Sequence, residues 1–246
     1  LTKDGVEFLS YARQVVEQTN LLEERYKSHT ETRELFSVSS QHYAFVVNAF
    51  VSLLKRADMT RYELFLRETR TYEIIEDVKN FRSEIGVLFL NGYNRDVLTK
   101  MFDDNRLTYT SLFKARPHIF VSKSNPLAKH EVVSLEDLED FPYLSYDQGI
   151  HNSFYYSEEI LSQIPHKKSI VVSDRATLFN LLIGLDGYTI ATGILNSNLN
   201  GDNIVSIPLD VDDEIDIVYL KHEKATLSKM GEKFLDNLVK EVTFDN

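Results

Sequence analysis

Hydroxyl and amide side chains stand where predicted strands give way to helices. Ser39-Ser40-Gln41 follows the first strand, Thr69-Arg70-Thr71 follows the second, and Ser173-Asp174 follows a later one. In open α/β sheets, ligands bind in the crevice outside the carboxyl ends of the strands. The helix N-termini there present free N–H groups and a partial positive charge. These positions therefore predict contacts to a small molecule, for which a carboxylate, sulfate or phosphate is well suited.

Each of these positions also has a simpler interpretation. Ser39 or Ser40 could only cap the helix that follows, and Thr71 and Asp174 are good N-cap residues on local grounds. His42 lies beside the first position, but a lone histidine near a helix start is more often structural. From the residues alone, both interpretations stay open.

Two further strand ends carry candidate ligand contacts. Tyr146 could stack on a ligand or donate its hydroxyl, but an aromatic side chain there could equally pack at a domain interface. Gly193 could allow close backbone approach to a ligand, or serve only a turn. The predicted ligand-binding residues are Ser39, Ser40, Gln41, Thr69, Thr71, Tyr146, Ser173, Thr192 and Gly193.

The sequence lacks the usual patterns of catalytic and metal sites. Its 7 histidines show no HExxH spacing, and the absence of Cys excludes thiolate ligands and Cys nucleophiles. It contains no GxSxG, P-loop or GxGxxG motif. The acidic run over 210–216 lacks the glycine of a calcium loop and is predicted to be a solvated connection. We therefore predict no catalytic residue, no metal site and no cofactor.

Predicted strands and helices alternate along the chain, which favours βαβ units and parallel sheets. The predicted strands are 34–39, 62–67, 84–90, 143–146, 169–172, 188–192, 204–208 and 215–220. The predicted helices are 41–56, 72–81, 95–103, 134–139, 152–163, 174–184 and 226–242, the last with Thr226 as its N-cap. A long extended stretch over 107–122, interrupted at Pro117, is predicted to cross from one domain to another.

The expected fold is thus α/β, with two Rossmann-like subdomains joined by two crossing strands. We expect subdomain I to comprise residues 31–113 and 215–246, and subdomain II to comprise residues 114–214. A linker helix within residues 1–30 precedes them. Such a hinged pair has a cleft between its two halves.

The opening helix, predicted over 1–26, carries a narrow apolar seam. Its positions alternate in steps of four and three: Leu1, Gly5, Phe8, Ala12, Val15, Thr19, Leu22 and Tyr26. Spacing of this kind is typical of a coiled coil and favours pairing with a second copy of the chain. The alternative is an amphipathic helix that lies on its own domain.

Composition restricts the partners. The 246 residues carry a formal net charge of −11, which does not fit a surface that neutralises phosphates. No apolar run is long enough to cross a bilayer. We therefore expect neither nucleic acid nor membrane to bind these residues directly.

Ordered motifs resemble the regulatory part of LysR-type transcriptional regulators. The opening LT..G..F...A and LLEE resemble that family's linker helix, and Glu84-Ile85-Gly86-Val87 stands at its D-[LV]-A-I strand. Asn125-Pro126-Leu127-Ala128 matches its HPLA element. The runs 170–174 and 184–191 resemble the helix and the G-x-G-[IV] strand of the second subdomain. The family commonly has Ser or Thr at the first strand end, which favours a ligand role for Ser39-Ser40-Gln41.

Some positions depart from the family pattern. Gly184 and Gly187 are separated by two residues rather than one, and Thr192 stands where that motif ends in Pro. The usual Pro before the second strand is missing from 58–61. The family's N-terminal winged helix-turn-helix is absent from these residues.

The resemblance implies a bacterial, cytoplasmic sensor module without enzymatic activity. A small effector would bind between the subdomains of a homodimer or tetramer, and the opening helix would pass the change to a DNA-binding domain. Three alternatives remain. One is a transport-type solute-binding protein, which would be monomeric and carry a signal peptide or anchor. Another is a two-domain α/β enzyme, and the third is a dimerisation scaffold whose cleft is filled by Phe and Tyr.

Overall fold

The computed structural model describes residues 2, 4–5, 8–9, 11–13, 15–17, 19, 34–56, 61–195 and 201–243. They fall into two compact units, a smaller one within 1–35 and 59–63 and a larger one within 36–58 and 64–246. Every described residue from 4 to 19 is helical, in agreement with the predicted opening helix. Its seam positions Phe8 and Val15 are 72% and 65% exposed. Predicted positions 20–26 lie outside the described residues.

The first sheet has five strands in the order β2-β1-β3-β10-β4. These are β1 (Glu34–Ser40), β2 (Tyr62–Glu68), β3 (Ile85–Leu90), β4 (Leu107–Ala115) and β10 (Ile215–His222). Its helices are α1 (Ala44–Arg56), α2 (Thr71–Lys79), α3 (Arg95–Asp104) and α5 (Lys229–Thr243). All six residues of β3 are buried, as expected for a central strand covered on both faces. We call these elements the first lobe.

The second sheet also has five strands, in the order β7-β6-β8-β5-β9. These are β5 (His118–Ser122), β6 (Tyr143–Tyr146), β7 (Ser169–Val172), β8 (Tyr188–Ala191) and β9 (Ile204–Pro208). The helical elements are α4 (Arg175–Leu185) and three short 3₁₀ turns, Pro126–Lys129, Glu136–Leu138 and Phe154–Tyr156. We call these elements the second lobe. The predicted two-lobed α/β architecture is confirmed, and the predicted boundaries between the lobes stay a prediction.

The sheets are mixed rather than parallel, so the expectation of parallel sheets was wrong in part. β1 pairs with β3 in parallel, but β10 runs antiparallel to both β3 and β4. β10 returns from the second lobe and therefore enters the first sheet from the opposite end. β5 likewise runs antiparallel to β8 and β9. The chain crosses between the sheets at Pro117, where the extended stretch was predicted to be interrupted.

Each lobe has its own apolar core. In the first lobe, side chains of α2, α3 and the central strands pack together: Ile74, Ile75, Val78, Leu88, Leu90, Leu98, Phe102, Leu107, Val218 and Leu220. In the second lobe, α4 packs on the sheet through Phe120, Leu144, Val172, Leu178, Leu182 and Ile204. Two separate cores leave a boundary at which the lobes meet. No helix among the described residues is both long and apolar enough to cross a membrane.

Three local predictions were wrong. The helix expected over 152–163 is reduced to the turn Phe154–Tyr156. The last helix begins at Lys229 rather than after Thr226, because Ser228 Oγ accepts the N–H of Gly231 and caps it (3.0 Å). The acidic run is solvated only in part, since Asp216 is buried and accepts hydrogen bonds from Arg95 (2.8 Å) and Ser111 (2.5 Å).

Candidate functional site

A cavity lies where the two lobes meet, beside the ends of β1, β6 and β8. The first lobe contributes residues 42–45, Phe89 and Ile215, and the second contributes the end of β6, residues 158–160, α4 and the end of β8. Aromatic rings from both lobes form much of its wall: Tyr43, Phe45, Phe89, Phe120, Tyr146 and Phe179. This is the crevice outside the carboxyl ends of the strands where α/β folds bind ligands.

The cavity is small in this structure. The space open to the centres of water-sized molecules is about 50 Å³. One water needs roughly 10–15 Å³ by the same measure, so the cavity has room for a few waters or a very small organic molecule. Pockets for larger ligands typically measure about 300–1,000 Å³. This cavity is therefore closed to larger ligands, which would have to part the lobes around it to enter.

Glu158 of the second lobe closes the cleft by reaching the first lobe. Its Oε2 accepts the backbone N–H of His42 (2.9 Å) and lies 2.8 Å from His42 Nδ1. The side chains of both residues are almost fully buried, at 6% exposed for His42 and 3% for Glu158. The His42 ring also stacks on Tyr146, with ring centroids 4.0 Å apart. Burial lowers the pKa of His42, but the hydrogen bond and the charge of Glu158 outweigh burial and raise it.

Gln148 continues this contact along the cleft. Its Nε2 donates to Glu158 Oε1 (3.0 Å), and its Oε1 accepts the N–H of Thr71 at the start of α2 (3.2 Å). Thr71 Oγ1 accepts from Gln41 Nε2 (2.6 Å). Gln41 Oε1 accepts in turn from the Tyr43 hydroxyl (2.6 Å). A buried chain of hydrogen bonds thus runs from the ends of β1 and β2 to the second lobe.

Two ion pairs lie outside this chain and also join the lobes. Arg70 donates through Nη2 to Asp147 Oδ2 (2.5 Å) and through Nε to the Asp147 carbonyl (3.1 Å). Arg175 at the start of α4 lies 3.2 Å from Glu68 at the end of β2. Arg70 and Asp147 are more than a third exposed, so solvent weakens their pair. The Arg175–Glu68 pair is less exposed and borders the cavity.

Glu159 has a different environment from its neighbour Glu158. It lines the cavity and is only 3% exposed. One carboxylate oxygen accepts the N–H of Tyr146 (2.9 Å), and the other has no hydrogen-bond partner among the described residues. Burial first, and the charge of Glu158 second, raise the pKa of Glu159 well above its ordinary value. Burial thus penalises the charged form of this carboxyl group as long as no cation lies beside it.

The contacts of Glu158 and Glu159 explain why residues 152–163 do not form the predicted helix. Successive residues of a helix point about 100° apart, whereas both carboxyl groups here turn inward to bind His42 and Tyr146. Leu161 has a positive φ of 59°, outside the right-handed helical region. Tertiary hydrogen bonds therefore override the local helical pattern.

The nine residues predicted from the sequence lie at different depths around the cavity. Tyr146 and Thr192 line it. Gln41 lies one hydrogen bond behind it, through Tyr43, and Thr71 lies one hydrogen bond further, through Gln41. Ser40 is fully buried next to them, and its hydroxyl has no partner among the described residues.

The remaining four predicted residues do not line the cavity. Ser39 donates to Asp77 (2.6 Å) and lies 2.7 Å from the Ser83 hydroxyl, within the first lobe. The hydroxyl of Thr69 is bound to Glu73. Ser173 is exposed at the end of β7, and Gly193 makes a turn with φ of +82° against the His118 ring.

Of the residues that could serve only as helix N-caps, one does so and another does not. Asp174 does cap α4, accepting the N–H of Thr177 (2.8 Å). Thr71 does not cap α2, because it is the first residue of that helix and its hydroxyl binds Gln41. Whether the nine residues contact a ligand stays a prediction.

Sequence reasoning missed Glu158, Glu159, Gln148 and Arg175. Each lies in an irregular segment or at a helix start, and none belongs to a spacing pattern that marks a site. The adjacent pair Glu158-Glu159 falls within the predicted helix 152–163, which does not form. Only the tertiary structure brings these side chains together with His42. No group of three or more metal-ligating side chains that could hold a metal ion occurs in the described part of the chain.

The sequence profile described as LysR substrate binding domain matches residues 39–243. The match spans most of the chain, which therefore belongs to the LysR substrate binding domain family. This confirms the resemblance drawn from the ordered motifs and favours a transcriptional regulator over the solute-binding protein and the enzyme. No curated protein sequence matches the chain.

Solved structures of LysR-type regulators share the fold. Full-length OxyR from Pseudomonas aeruginosa matches with a TM-score of 0.60 at 14% identity, covering 97% of this chain and 80% of that one. A full-length variant of BenM matches with 0.60 at 17% identity, covering 99% and 79%. The effector binding domain of QuiR, in complex with shikimate, matches with 0.56 at 16% identity, covering 85% and 97%. At these identities the likeness concerns the fold alone.

Proposed function

We propose that this chain is the effector-sensing and dimerisation portion of a LysR-type transcriptional regulator. A small molecule binds in the cavity between the lobes and changes their relative orientation. The opening helix passes that change to an N-terminal DNA-binding domain, in a cytoplasmic dimer or tetramer that catalyses no reaction. We further propose that the predicted residue boundaries of the two subdomains define the moving parts.

The proposal rests on one observation, namely which side chains of the two lobes meet in the cleft. Buried side chains from both lobes face one enclosed cavity, and polar groups join the lobes across its rim. A ligand that binds there touches both lobes at once. It therefore interacts differently with the open and the closed arrangement, which is the requirement for shifting the equilibrium between them.

The small size of the cavity is relevant to the alternative that the protein is only a dimerisation scaffold whose cleft is filled by Phe and Tyr. Six aromatic rings narrow the cavity, but two buried oxygens have no hydrogen-bond partner among the described residues: Oε2 of Glu159 at the cavity wall and Oγ of Ser40 at the end of β1. A cleft packed only for stability would leave few such groups, because each costs about 1–3 kcal/mol. Their presence supports a binding site that is completed by a ligand.

A screen of small metabolites by thermal shift, followed by calorimetry, tests the proposal. We expect at least one compound to stabilise the protein. Ala191 lines the cavity on β8, so Ala191→Leu should fill it and weaken binding of that compound about tenfold or more. Ala128→Leu, at a half-buried position in the turn Pro126–Lys129, is the matched control and should leave the affinity unchanged.

The proposal fails if no compound in a broad screen stabilises the chain. It also fails if Ala191→Leu folds normally and binds the selected compound as tightly as the unmodified protein does. In that case the stabilising compound binds elsewhere, and the cavity is only a packing defect.

A further inference from the structure

We propose that the cavity between the lobes takes a small organic ammonium ion, whose N–H groups donate to the carboxylate of Glu159. The inference rests on the proposed function, because it assigns a ligand class to the same cleft. It differs from the sequence-based expectation, which favoured an anion at the helix N-termini. Three features of the cavity point to a cation.

The first feature is the charge balance of the cavity wall. Each cationic side chain of the lining already has an acidic partner: His42 lies 2.8 Å from Glu158, and Arg175 lies 3.2 Å from Glu68, which is not part of the lining. Glu159 is the remaining carboxylate of the described lining, and no cation lies against it. An added anion would face an unpaired acid, whereas an added ammonium ion would supply the missing charge.

The second feature is the free oxygen of Glu159. The side chain is more than nine-tenths buried, and its Oε2 lacks a hydrogen-bond partner among the described residues. Buried polar atoms without partners are rare in native proteins and often mark an absent ion or water. An ammonium group is a donor without acceptor capacity, so it satisfies a carboxylate oxygen fully.

The third feature is that side chains of the protein already accept the backbone N–H groups near the helix N-termini, where an anion would bind. The backbone N–H of His42, two residues before α1, already donates to Glu158 Oε2 at 2.9 Å. The N–H of Thr71 at the start of α2 is likewise occupied by Gln148. Side chains of the second lobe thus hold the groups that would otherwise attract an anionic ligand.

Aromatic rings line the same cavity as Glu159 and suit a cation. Tyr43, Phe45 and Tyr146 line the same cavity, and the rings of Tyr43 and Phe45 stack with centroids 4.7 Å apart. Ring faces attract ammonium groups within about 6 Å and gain more in desolvated sites. The volume of about 50 Å³ fits a short alkylamine directly, and a larger amine would require the cleft to open.

Matched probes of different charge test the ligand class. We would titrate the protein with propylamine, 1-propanol and acetate, and then with benzylamine, benzyl alcohol and benzoate, following NMR shifts and thermal stability. The amines should bind at least about tenfold more tightly than their neutral and anionic counterparts, as expected for a charged hydrogen bond at a buried site. Glu159→Gln should remove this preference, while Glu136→Gln on an exposed turn should preserve it.

The pH dependence gives an independent readout. A proton on Glu159 competes with the ammonium ion, so amine affinity should fall as the pH is lowered while the amine itself remains charged. The other ionisable groups near Glu159 are Glu158, His42, Glu68, Arg175, Tyr43, Tyr143 and Tyr146. Glu159→Gln should therefore flatten the pH dependence that is specific to the amines.

The outcomes separate this inference from the proposed function. Tighter binding of acetate or benzoate than of the amines, or amine binding that survives Glu159→Gln, overturns the ligand class and leaves the sensing role intact. Failure of both amines to bind overturns the ligand class too. The sensing role falls only if the broader screen also finds no compound whose binding Ala191→Leu weakens.

Discussion

At the scale of single residues, Glu158 and Glu159 have different roles although they are neighbours in the chain. The carboxylate of Glu158 is held by His42 and Gln148, so it fastens the second lobe to the first. The carboxylate of Glu159 lies at the cavity wall, and one of its oxygens has no hydrogen-bond partner among the described residues. The first residue joins the two lobes, and the second faces the cavity.

Replacing Glu159 by Gln should stabilise the protein in a pH-dependent way. The pKa of Glu159 is raised chiefly by burial, so its contribution to stability is complete below the ordinary value of 4.5 and is lost as the pH rises through the folded-state value. Gln mimics the protonated form at every pH. The gain should be near zero at acid pH and reach about 1–3 kcal/mol at neutral to alkaline pH.

Urea unfolding of both proteins across the pH range measures this effect. Glu136→Gln, which changes the formal charge by the same amount on an exposed turn, is the control and should show almost no gain. Equal stability of Glu159→Gln and the unmodified protein at all pH values would contradict the burial of this carboxyl group without a cationic partner among the described residues.

At the scale of elements, two glycines near the end of α4 differ in how much space surrounds them. A Cβ on Gly187, before β8, would run into Leu144 Cδ1 and lie 2.9 Å from the carbonyl oxygen of Pro142. A Cβ on Gly184, within α4, meets nothing within 4 Å. The spacing of these glycines departs from the family pattern, and only the structure distinguishes their roles.

We expect Gly187→Ala to destabilise the protein by about 1–3 kcal/mol, because the backbone of Pro142 cannot move without disturbing β6. Gly184→Ala should instead stabilise it by up to about 1 kcal/mol, since alanine favours a helix over glycine. Thermal or urea unfolding of the two variants measures both effects. Similar losses in both would contradict the close approach of Gly187 to Pro142 and the open space beside Gly184.

At the scale of the whole molecule, the opening helix presents an apolar seam that a second copy could cover. Phe8 and Val15 are 72% and 65% exposed, whereas Glu17 on the same helix lies off the seam. We expect the chain to be a dimer in solution. Phe8→Lys should weaken that dimer by at least about a hundredfold, because a symmetric pair buries the Phe8 side chains of both copies.

Size-exclusion chromatography with light scattering, over a series of protein concentrations, measures the dissociation. Glu17→Lys is the matched control and should remain dimeric. A monomer at all concentrations, or equal effects of the two substitutions, would argue against pairing through the seam. Neither variant should change ligand binding in the cleft.

Much of the fold followed from local pattern. The alternation of buried strands and amphipathic helices predicted most elements to within a few residues, including β6, β7 and β9 without error. Hydrophobic periodicity predicts these elements because each helix buries one face, and each strand buries one or both faces, in the core of its own lobe. The prediction was wrong where a long-range contact decides the conformation, as at residues 152–163 and at Ser228, which binds Glu84 (2.9 Å).

The sequence by itself determined the class of protein, the two α/β lobes and the strand ends at which a ligand could bind. Only the tertiary structure decided which side chains meet at those strand ends. Glu158, Gln148 and Arg175 come from a different lobe than His42, Thr71 and Glu68, and no local pattern encodes which side chains meet across a cleft. The sign of the charge that the cavity can accept depends on those pairings, because a carboxylate already paired does not attract a cation and an unpaired one does.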